Sequence, residues 1–539
     1  MVKLSDNYIT HRTEFEKAGI KVPTYDHDAV AQKGVAQPRW IHFGGGNLFR
    51  AFHAAIADEL IEQGELDAGL LVVDTFSKEV VERVYHGNHN QVLRVVTKAD
   101  GTLESAVFGS VADAVFDSAE APSQELRKAF ESQSLQLVTF SITEKGYALT
   151  DGEGNLTASV AQDVAAGPEN PVNNIARLTS LLYDRFNHGQ LPLALLSTDN
   201  FSQNGDRLKK SVLTIAKGWA ANQLVEDEFL DYLQNPDKVS FPLSMIDRIT
   251  PNPAKAVGES LEAQGVENMT PFKASYGAML ASFANTEEAH YLVVEDAFPN
   301  GRPALEKAGV IVTDRATVND VDEMKVTTCL NPLHTALAIF GSLLDYHSIS
   351  EEMKNADLVD LIKQIGYVEG LPVVKDPKVI NPKAFIDEVV EKRLPNPYIP
   401  DTPQRIATDT SQKMAVRYGV TIQHYLADPT LKVTDLKFIP LTIAAWLRYL
   451  LAIDDKGQAF EPSPDPLMDY LKEQLQGIQL GKNANLQAQI KPILANQKLF
   501  GVDLVEAGLA ELIEADLAEM LQGPGAVAQT LHQKLNQVN

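Results

Sequence analysis

Short apolar runs alternate with amphipathic stretches along the first half of the chain, and this alternation predicts strands separated by helices. Trp40–Phe43 is an apolar run that ends in three glycines, and apolar residues then recur at helical spacing from Phe49 to Gln63. Strands that alternate with helices are typical of a parallel, doubly wound sheet. The predicted strands are Trp40–Phe43, Leu70–Val73, Val92–Val96, Leu135–Ile142 and Leu191–Ser197.

The second half of the chain has a different pattern, because strand signals become scarce after Val310–Val312 and helical periodicity dominates. We therefore expect an α/β fold with a Rossmann-type, doubly wound domain at residues 1–286. A mainly α-helical domain at residues 287–539 should follow it. The predicted helices of this second domain are Thr335–Leu344, Leu358–Ile365, Leu441–Leu451 and Leu504–Leu521.

Composition narrows the classes of partner. A formal charge of −25 argues against general affinity for nucleic acid, because phosphate binding needs dense Lys and Arg. An anionic substrate stays open, since one or two local cations can hold a carboxylate. The most apolar long stretch, Ile439–Ile453, contains Arg448 and is too short for a membrane span, so we expect no membrane partner.

The single cysteine, Cys329, bears on compartment and on metals. It rules out an intramolecular disulfide and fits a reducing compartment, so we expect a cytoplasmic protein. It also argues against structural zinc of the kind held by clustered thiolates. The sequence leaves the oligomeric state open.

A glycine-rich loop follows the first predicted strand and precedes a helix. Glycines permit a tight turn and let backbone amides approach a pyrophosphate at the helix N-terminus. The third glycine of the usual dinucleotide fingerprint is missing, so a connection without a ligand is the alternative. Arg50 either contacts a phosphate or forms a surface ion pair. The residues of this predicted cofactor loop are Gly44, Gly45, Gly46, Asn47, Leu48 and Arg50.

Asp74 ends the next predicted strand. An acidic side chain there can bind the adenosine ribose hydroxyls and repel a 2′-phosphate, which favours NAD over NADP. Its distance from the glycines is longer than the usual spacing of about 20 residues. The alternative is that Asp74 caps the helix that begins near Ser77 and Lys78.

The segment Lys325–His334 holds the main catalytic candidates, near the predicted domain junction, where clefts are favoured sites. Reduction of a carbonyl needs an acid and oxidation of an alcohol needs a base, and a lysine partly withdrawn from water can be both. Asn331 can donate a hydrogen bond to the developing oxyanion, and His334 lies three residues further on. The alternatives are a solvated lysine, a capping asparagine and a hydrogen-bonded core histidine.

Further polar residues are candidates for oxyanion or substrate contacts. Asn200 follows a predicted strand, where it is either a second oxyanion donor or part of a turn built from Asx side chains. Asp247, beside Arg248, belongs to either a substrate clamp or a buried ion pair. Arg405, Lys413 and Arg417 could hold a substrate carboxylate, or they are ordinary solvated helix charges.

These segments together resemble the long-chain mannitol dehydrogenase family. The ordered set is far more specific than any single motif, and it spans about residues 40–335 in the family's order. The matching segments are His42–Arg50, Ile142–Tyr147, Thr198–Asn200 with Asn204–Gly205, Phe241–Pro242 with Ile246–Pro251, Glu295–Phe298 with Gly301–Pro303, and Lys325–His334.

The resemblance implies hydride transfer with NAD(H), no metal, and a sugar acid or polyol as substrate. It implies that Lys325 is the general acid and base, that Asn200 and Asn331 form the oxyanion hole, and that His334 contacts the substrate and the lysine. It also implies a position near the cleft for Asp247. We expect interconversion of D-fructuronate and D-mannonate; the alternatives are mannitol oxidation, tagaturonate reduction, and a non-catalytic NAD-binding protein.

The spacing of the catalytic segment departs from the family. The family has four residues between its lysine and asparagine, whereas five separate Lys325 from Asn331. The strict register would put Val326 at the lysine position, and valine cannot transfer a proton. Either the backbone absorbs one extra residue in a local bulge or a different lysine serves. We expect the bulge, because Lys325 is the only nearby candidate.

Overall fold

A computed structural model describes residues 1–482 and 485–538 and divides the chain into two compact units, Met1–Asn319 and Asp320–Asn539. The division lies further along the chain than the expected boundary at 286/287. The reason is strand pairing, because Tyr291–Glu295 pairs antiparallel with Ser244–Asp247 and parallel with Ile311–Thr313. Residues after 286 therefore continue the first unit instead of starting the second.

A six-stranded, fully parallel sheet forms the centre of the first unit. Its strands are β1 (Trp40–Phe43), β2 (Leu70–Asp74), β3 (Val111–Phe116), β4 (Leu137–Phe140), β5 (Leu193–Ser197) and β6 (Val239–Ser240). Their spatial order is β3-β2-β1-β4-β5-β6, so the chain starts in the middle and builds outward to one side and then to the other. This order is that of a doubly wound Rossmann sheet, and it confirms the predicted fold class.

Alternate residues of these strands pack into two different apolar cores. In β1, Ile41 and Phe43 belong to one cluster of buried residues, whereas Trp40 belongs to another. In β2, Leu71 and Val73 lie in the first cluster. Successive side chains of a strand point to opposite faces, so the sheet is buried on both sides, as parallel sheets usually are.

The other strands of the first unit form smaller sheets. The predicted strand at Val92–Val96 exists as Val92–Thr97, but it pairs with Leu103–Phe108 and Phe283–Thr286 outside the main sheet. The remaining short strands are Val2–Lys3, Ile20–Lys21, Val266–Glu267, Phe272–Lys273 and Met279–Leu280.

Helices connect the strands of the first unit, and some of them begin at side-chain caps. Ser123 accepts a hydrogen bond from the Leu126 amide at 3.1 Å, and Asn173 accepts from the Ile175 amide at 2.9 Å. The helix Arg315–Met324 crosses the division between the units. The other helices are Arg12–Lys17, His27–Ala36, Ala54–Glu62, Gln124–Glu131, Ala158–Ala166, Asn174–Asn187, Asn204–Ala221, Asp227–Gln234 and Lys255–Ala263.

In the part of the second unit that the structure describes, all the named elements are helices and none is a strand. Its helices are Asn331–Leu343, Ile349–Glu352, Ala356–Lys363, Pro382–Glu388, Pro403–Ala407, Val420–Ala427, Phe438–Tyr449, Met468–Gln474, Leu486–Leu494, Gln497–Phe500, Ala510–Met520 and Ala526–Asn536. The predicted helical second domain is thus confirmed, although the helix expected from Leu504 begins only at Ala510.

The helix Phe438–Tyr449 is buried along its whole length. Its first turn is capped by Glu369, a residue far away in the sequence. The Glu369 carboxylate accepts hydrogen bonds from the amides of Phe438 at 2.6 Å and Ile439 at 2.8 Å. Burial raises the pKa of Glu369 to about 7, and these amide donors oppose that rise. In the described residues, no helix has the length and apolarity that a membrane crossing would need.

Candidate functional site

The glycine loop lies at the carboxyl end of β1, where the strand order of the sheet reverses. Gly44 has φ +111°, and a Cβ there would lie 2.3 Å from the Ser141 carbonyl oxygen, so only glycine fits. Gly46 is exposed, and a Cβ there would meet no atom within 4 Å. A tight turn with open space over Gly46 fits the pyrophosphate of a dinucleotide, because ligands bind at this switch point in Rossmann sheets.

Asp74, at the carboxyl end of β2, lies beside this loop. One carboxylate oxygen accepts hydrogen bonds from the amides of Phe76 at 2.9 Å and Ser77 at 2.7 Å. The Ser77 hydroxyl accepts the bond from the Val80 amide at 3.4 Å, so Asp74 caps the turn ahead of the helix and not the helix itself. Burial raises the pKa of Asp74, and the amides of Ser77, Phe76 and Gly45 oppose that rise. Its proximity to Gly45 is compatible with the ribose role as well, and that role stays a prediction.

Arg50 is buried, so it is not the surface ion pair that was one of its two expected roles. It lies in a π-helical turn, Phe49–His53, that follows Leu48. Its guanidinium donates to the Ala281 carbonyl at 2.8 Å and to the Asn47 side-chain oxygen at 2.6 Å, and Asn47 donates to the Pro251 carbonyl at 3.0 Å. These contacts hold the loop in place, and they give no direct support to the phosphate role.

Asp199 connects the carboxyl ends of β4 and β5. Its carboxylate accepts hydrogen bonds from the amides of Ile142 at 3.0 Å and Thr143 at 2.8 Å and from the Tyr147 hydroxyl at 2.6 Å. Thr143 has φ +64° and ψ 159°, a region used almost only by glycine, and Asp199 helps to hold it there. We predicted no role for Asp199 from the sequence, although its position at the end of a predicted strand was a usable signal.

The remaining candidates of the first unit lie on either side of this region. Asn200 is exposed directly after Asp199, whereas Asp247 is 5% exposed at the end of the strand Ser244–Asp247. Asn204 donates to the Ser244 carbonyl at 3.0 Å and accepts from the Ser244 amide at 3.1 Å, which joins the helix Asn204–Ala221 to that strand. The structure thus holds the two candidate segments together through Asn204.

Lys325 begins a π-helical turn, Lys325–Cys329, between the helices Arg315–Met324 and Asn331–Leu343. The amide of Leu330 donates to the Lys325 carbonyl at 3.1 Å, a bond that spans five residues instead of the four of an α-helix. A turn of this kind accommodates one extra residue, which is the bulge expected from the spacing. The Lys325 side chain is buried.

Asn331 and His334 lie on the first turn of the helix that follows. His334 is mostly buried, with 15% of its side chain exposed, and its Nε2 lies 3.6 Å from a carboxylate oxygen of Asp401. Burial lowers the pKa of His334 to about 4; Asp401 opposes that change, and Arg417, Arg405 and Arg393 reinforce it. His334 is therefore a neutral imidazole near pH 7.

The residues around His334 form a group that we call the cationic cluster: Arg393, Arg405, Lys413 and Arg417. Arg405 is ion-paired with Asp401, and Arg417 donates to the Thr335 hydroxyl, which in turn donates to the Asn331 carbonyl at 2.9 Å. Burial lowers the pKa of Arg417 to about 10, and burial and then Arg417 lower the pKa of Lys413.

The structure thus brings the three predicted substrate cations into one group, in which Arg405 and Arg417 lie near His334 and Lys413 lies near these two arginines. It adds Arg393 and Asp401, which the sequence reasoning missed. Three of the polar residues lie in π-helical turns: Lys325 in Lys325–Cys329, Arg393 in Val389–Arg393 and Arg417 in Ala415–Gly419. Such turns are rare in proteins, and those that occur are often found at functional sites. Its position in the charged run Glu391–Arg393, after the apolar pair Val389–Val390, was the only sequence signal for Arg393.

A Rossmann sheet with a glycine loop at its switch point, followed by a helical unit that carries a buried lysine and a cationic cluster, defines a two-domain dehydrogenase. Comparison with family models identifies which one: residues 38–307 match the mannitol dehydrogenase Rossmann domain, and residues 317–521 match the mannitol dehydrogenase C-terminal domain. The chain belongs to the mannitol dehydrogenase family.

Among curated proteins, the D-mannonate oxidoreductase of Thermotoga maritima is 47% identical over 535 residues, which are 99% of each chain. The polyol:NADP oxidoreductase of Gluconobacter oxydans is 27% identical over 83% of this chain and 86% of that protein. Both relatives are oxidoreductases, and the higher identity is to the one named for a sugar acid.

Among solved structures, the ternary complex of Pseudomonas fluorescens mannitol 2-dehydrogenase with NAD and D-mannitol is similar with a TM-score of 0.71. That protein is 26% identical, and the match covers 99% of this chain and 100% of that chain. A D-sorbitol dehydrogenase in substrate-free form has a TM-score of 0.78 at 25% identity, with coverage of 95% and 97%. The two-domain fold is therefore shared along nearly the whole chain.

Proposed function

We propose that this protein is an NAD(H)-dependent oxidoreductase that interconverts D-fructuronate and D-mannonate. The observation that carries the proposal is the cationic cluster beside His334, because a sugar acid has a carboxylate for it to bind and a neutral polyol has none. The 47% identity to the Thermotoga maritima D-mannonate oxidoreductase, over 99% of both chains, supports the same substrate pair.

The residues of the first unit fit NAD(H). Gly44 and Gly46 would let the backbone approach the pyrophosphate, and the Asp74 carboxylate beside Gly45 would accept hydrogen bonds from the adenosine ribose. A carboxylate there disfavours a 2′-phosphate and so favours NAD over NADP. When bound, the cofactor supplies or accepts the hydride at the substrate carbon.

Lys325 would exchange the proton of the reacting oxygen. In the oxidation direction its neutral amine takes the proton from the substrate hydroxyl, and in the reduction direction its ammonium returns it. The π-helical turn supports this role, because it accommodates the extra residue between Lys325 and Asn331.

Asn200 and Asn331 would donate hydrogen bonds to that same oxygen, and they would stabilise the charge that develops on it. His334, as a neutral imidazole, would orient a substrate hydroxyl and the lysine without adding charge. Asp247 would accept a hydrogen bond from another hydroxyl of the substrate. Arg405, Lys413 and Arg417 would bind the carboxylate, and we propose that they set the preference for a uronate over a polyol.

The compartment is part of the proposal. The only thiol, Cys329, is buried, and burial raises its pKa. A chain with no pair of cysteines gains nothing from an oxidising compartment, which supports the cytoplasm as its location.

A substrate panel tests the proposed function. We would measure NADH oxidation with D-fructuronate, D-tagaturonate and D-fructose, NADPH oxidation with the same three compounds, and NAD⁺ reduction with D-mannonate and D-mannitol. The expected result is the highest kcat/KM for D-fructuronate with NADH and for D-mannonate with NAD⁺.

Three outcomes would contradict parts of this proposal. A preference for D-fructose or D-mannitol would assign the chain to polyol oxidation and remove the carboxylate role of the cationic cluster. A preference for D-tagaturonate would change the epimer but keep that role. NAD binding without turnover of any of these compounds would indicate a non-catalytic protein.

A further inference from the structure

Three side chains in the first unit bring one potential metal ligand each to a single point. They are His27, Asp28 and His89, whose ligand atoms all lie within 4.8 Å of one another. His27 and Asp28 begin the helix His27–Ala36, and His89 directly follows the short turn His86–Asn88. None of them belongs to the cofactor loop or to the catalytic segment.

His27 is the strongest indication of a ligand. Its side chain is 3% exposed, and its Nε2 lies 3.2 Å from the Val111 carbonyl oxygen. A carbonyl oxygen can only accept, so Nε2 carries the hydrogen and Nδ1 keeps its lone pair. In the described part of the chain, this buried Nδ1 has no hydrogen-bond partner. Buried polar atoms without partners are uncommon, and a bound ion is one reason for them.

The other two ligand atoms face this lone pair. A carboxylate oxygen of Asp28 lies 3.8 Å from His27 Nδ1 and 3.0 Å from His89 Nε2. In a tetrahedral zinc site with bonds of about 2.0–2.1 Å, ligand atoms are about 3.4 Å apart. These two separations bracket that value, and the His27 and His89 nitrogens lie within 4.8 Å of each other, so the side chains need only move closer together to complete the geometry.

We propose that His27, Asp28 and His89 bind one Zn²⁺ ion, with water at the fourth position. Two imidazoles and one carboxylate suit zinc better than calcium or magnesium, which prefer oxygen ligands. The Val111 carbonyl is the outer partner that fixes the tautomer of His27, as metal-binding histidines usually require. No metal was expected from the single cysteine and from the family resemblance. Asp28 and His89 are 61 residues apart, so no local spacing indicates this group.

The ion would be structural. It joins the start of the helix His27–Ala36 to the segment that leads into the strand Val92–Thr97. A ligand that binds only the folded state stabilises that state, and the stabilisation increases with the ligand concentration. The ion takes no part in hydride transfer, so this inference and the proposed function can fail separately.

Zinc titration of the untagged, full-length protein tests the proposal after treatment with a chelator. We expect calorimetry to show one Zn²⁺ bound per chain and expect the Tm to rise with zinc. His89→Ala and Asp28→Asn should each weaken zinc binding about 100-fold and abolish the rise in Tm. His532→Ala is the matched control, because His532 is also an exposed histidine paired with a carboxylate, that of Asp357, and it should bind zinc like the natural sequence.

The metal-free Tm of His89→Ala should equal that of the metal-free natural sequence, which shows that the variant is folded. Absence of stoichiometric zinc binding by the natural sequence would overturn the proposal. Equal zinc affinity in His89→Ala, Asp28→Asn and the natural sequence would overturn it as well, because the ion would then bind elsewhere.

Discussion

Cations have different surroundings in the two units. In the first unit, the Arg185 guanidinium donates to five backbone carbonyls, those of Phe130, Ser132, Leu135, Leu191 and Pro192, at 2.6–3.1 Å. In the second unit, Arg393, Arg405 and Arg417 all act on His334, and Asp401 is the carboxylate that opposes them. A cation enclosed by carbonyls maintains the fold, whereas a group of cations with one carboxylate among them is suited to binding an anion.

The same contrast occurs within the second unit. Arg448, on the helix Phe438–Tyr449, donates to the carbonyls of Ile453 at 2.5 Å and Asp454 at 3.0 Å. It is therefore a structural arginine like Arg185, although it shares a unit with the cationic cluster. The surroundings of a buried cation, and not the unit in which it occurs, distinguish a structural role from a binding role.

The largest effect is expected at Lys325. Lys325→Met should lower kcat by about 10²–10⁴-fold, because methionine keeps the volume but cannot exchange a proton. The dissociation constant for NADH, measured by fluorescence titration, should change little. Lys383→Met is the control, since Lys383 is exposed and paired with Asp387, and it should keep full activity. Near-normal turnover by Lys325→Met would exclude it as the acid and base.

Arg185→Met should have the next largest effect, and it should act on stability. Five carbonyls would lose a charged donor in a buried place, and we expect a loss of about 3–5 kcal/mol in the free energy of unfolding. Urea unfolding followed by circular dichroism measures this loss. The KM of the folded fraction should stay unchanged. A raised KM with normal stability would make Arg185 a binding residue and remove the contrast.

The pH dependence of stability should report on His334. Its pKa is about 4 when folded and about 6.5 when unfolded, so the unfolded chain binds the proton more readily between these values. Stability should therefore fall as the pH decreases from about 6.5 to 4, by up to about 3 kcal/mol from this residue.

His334→Gln should remove that part of the pH dependence, as measured by urea unfolding at a series of pH values. His532→Gln, an exposed histidine of the same unit, should leave the dependence unchanged. An identical pH dependence in His334→Gln and the natural sequence would mean that burial does not lower the pKa of His334 in the folded chain.

Arg417→Met should have the smallest of these effects. It should raise the KM for D-fructuronate about 10–100-fold, since a charge-assisted hydrogen bond contributes about 1.5–3 kcal/mol. The kcat should change less than the KM, and stability should not fall, because one of several neighbouring like charges is removed. Arg417→Lys should recover part of the affinity. An unchanged KM for the uronate would show that Arg417 does not bind the carboxylate.

The sheet was predictable because its signals are local. Trp40–Phe43 and Leu70–Asp74 are continuous apolar runs that end at polar or glycine residues, and a strand buried on both faces needs such a run. The domain boundary was not predictable, because the pairing of Tyr291–Glu295 with Ser244–Asp247 joins segments far apart in the sequence.

The candidate site was partly predictable for the same reason. The spacing between Lys325 and Asn331, compared with that of the family, indicated a bulge, and the structure has a π-helical turn there. Arg405 and Arg417 could be named from a polar stretch, but their approach to His334 depends on tertiary packing. Arg393 and the zinc ligand His27 were missed, because no local pattern separates them from ordinary helical residues.

Cys329 makes the π-helical turn measurable without any engineered label. It is the fifth residue of that turn and the only cysteine of the chain, and its thiol is buried against the Pro382 carbonyl at 3.7 Å. A disulfide reagent can modify it only when this turn opens, so the labelling rate reports the opening of the segment that bears Lys325. If substrate or cofactor slows the labelling, ligand binding and closure of the turn are thermodynamically linked.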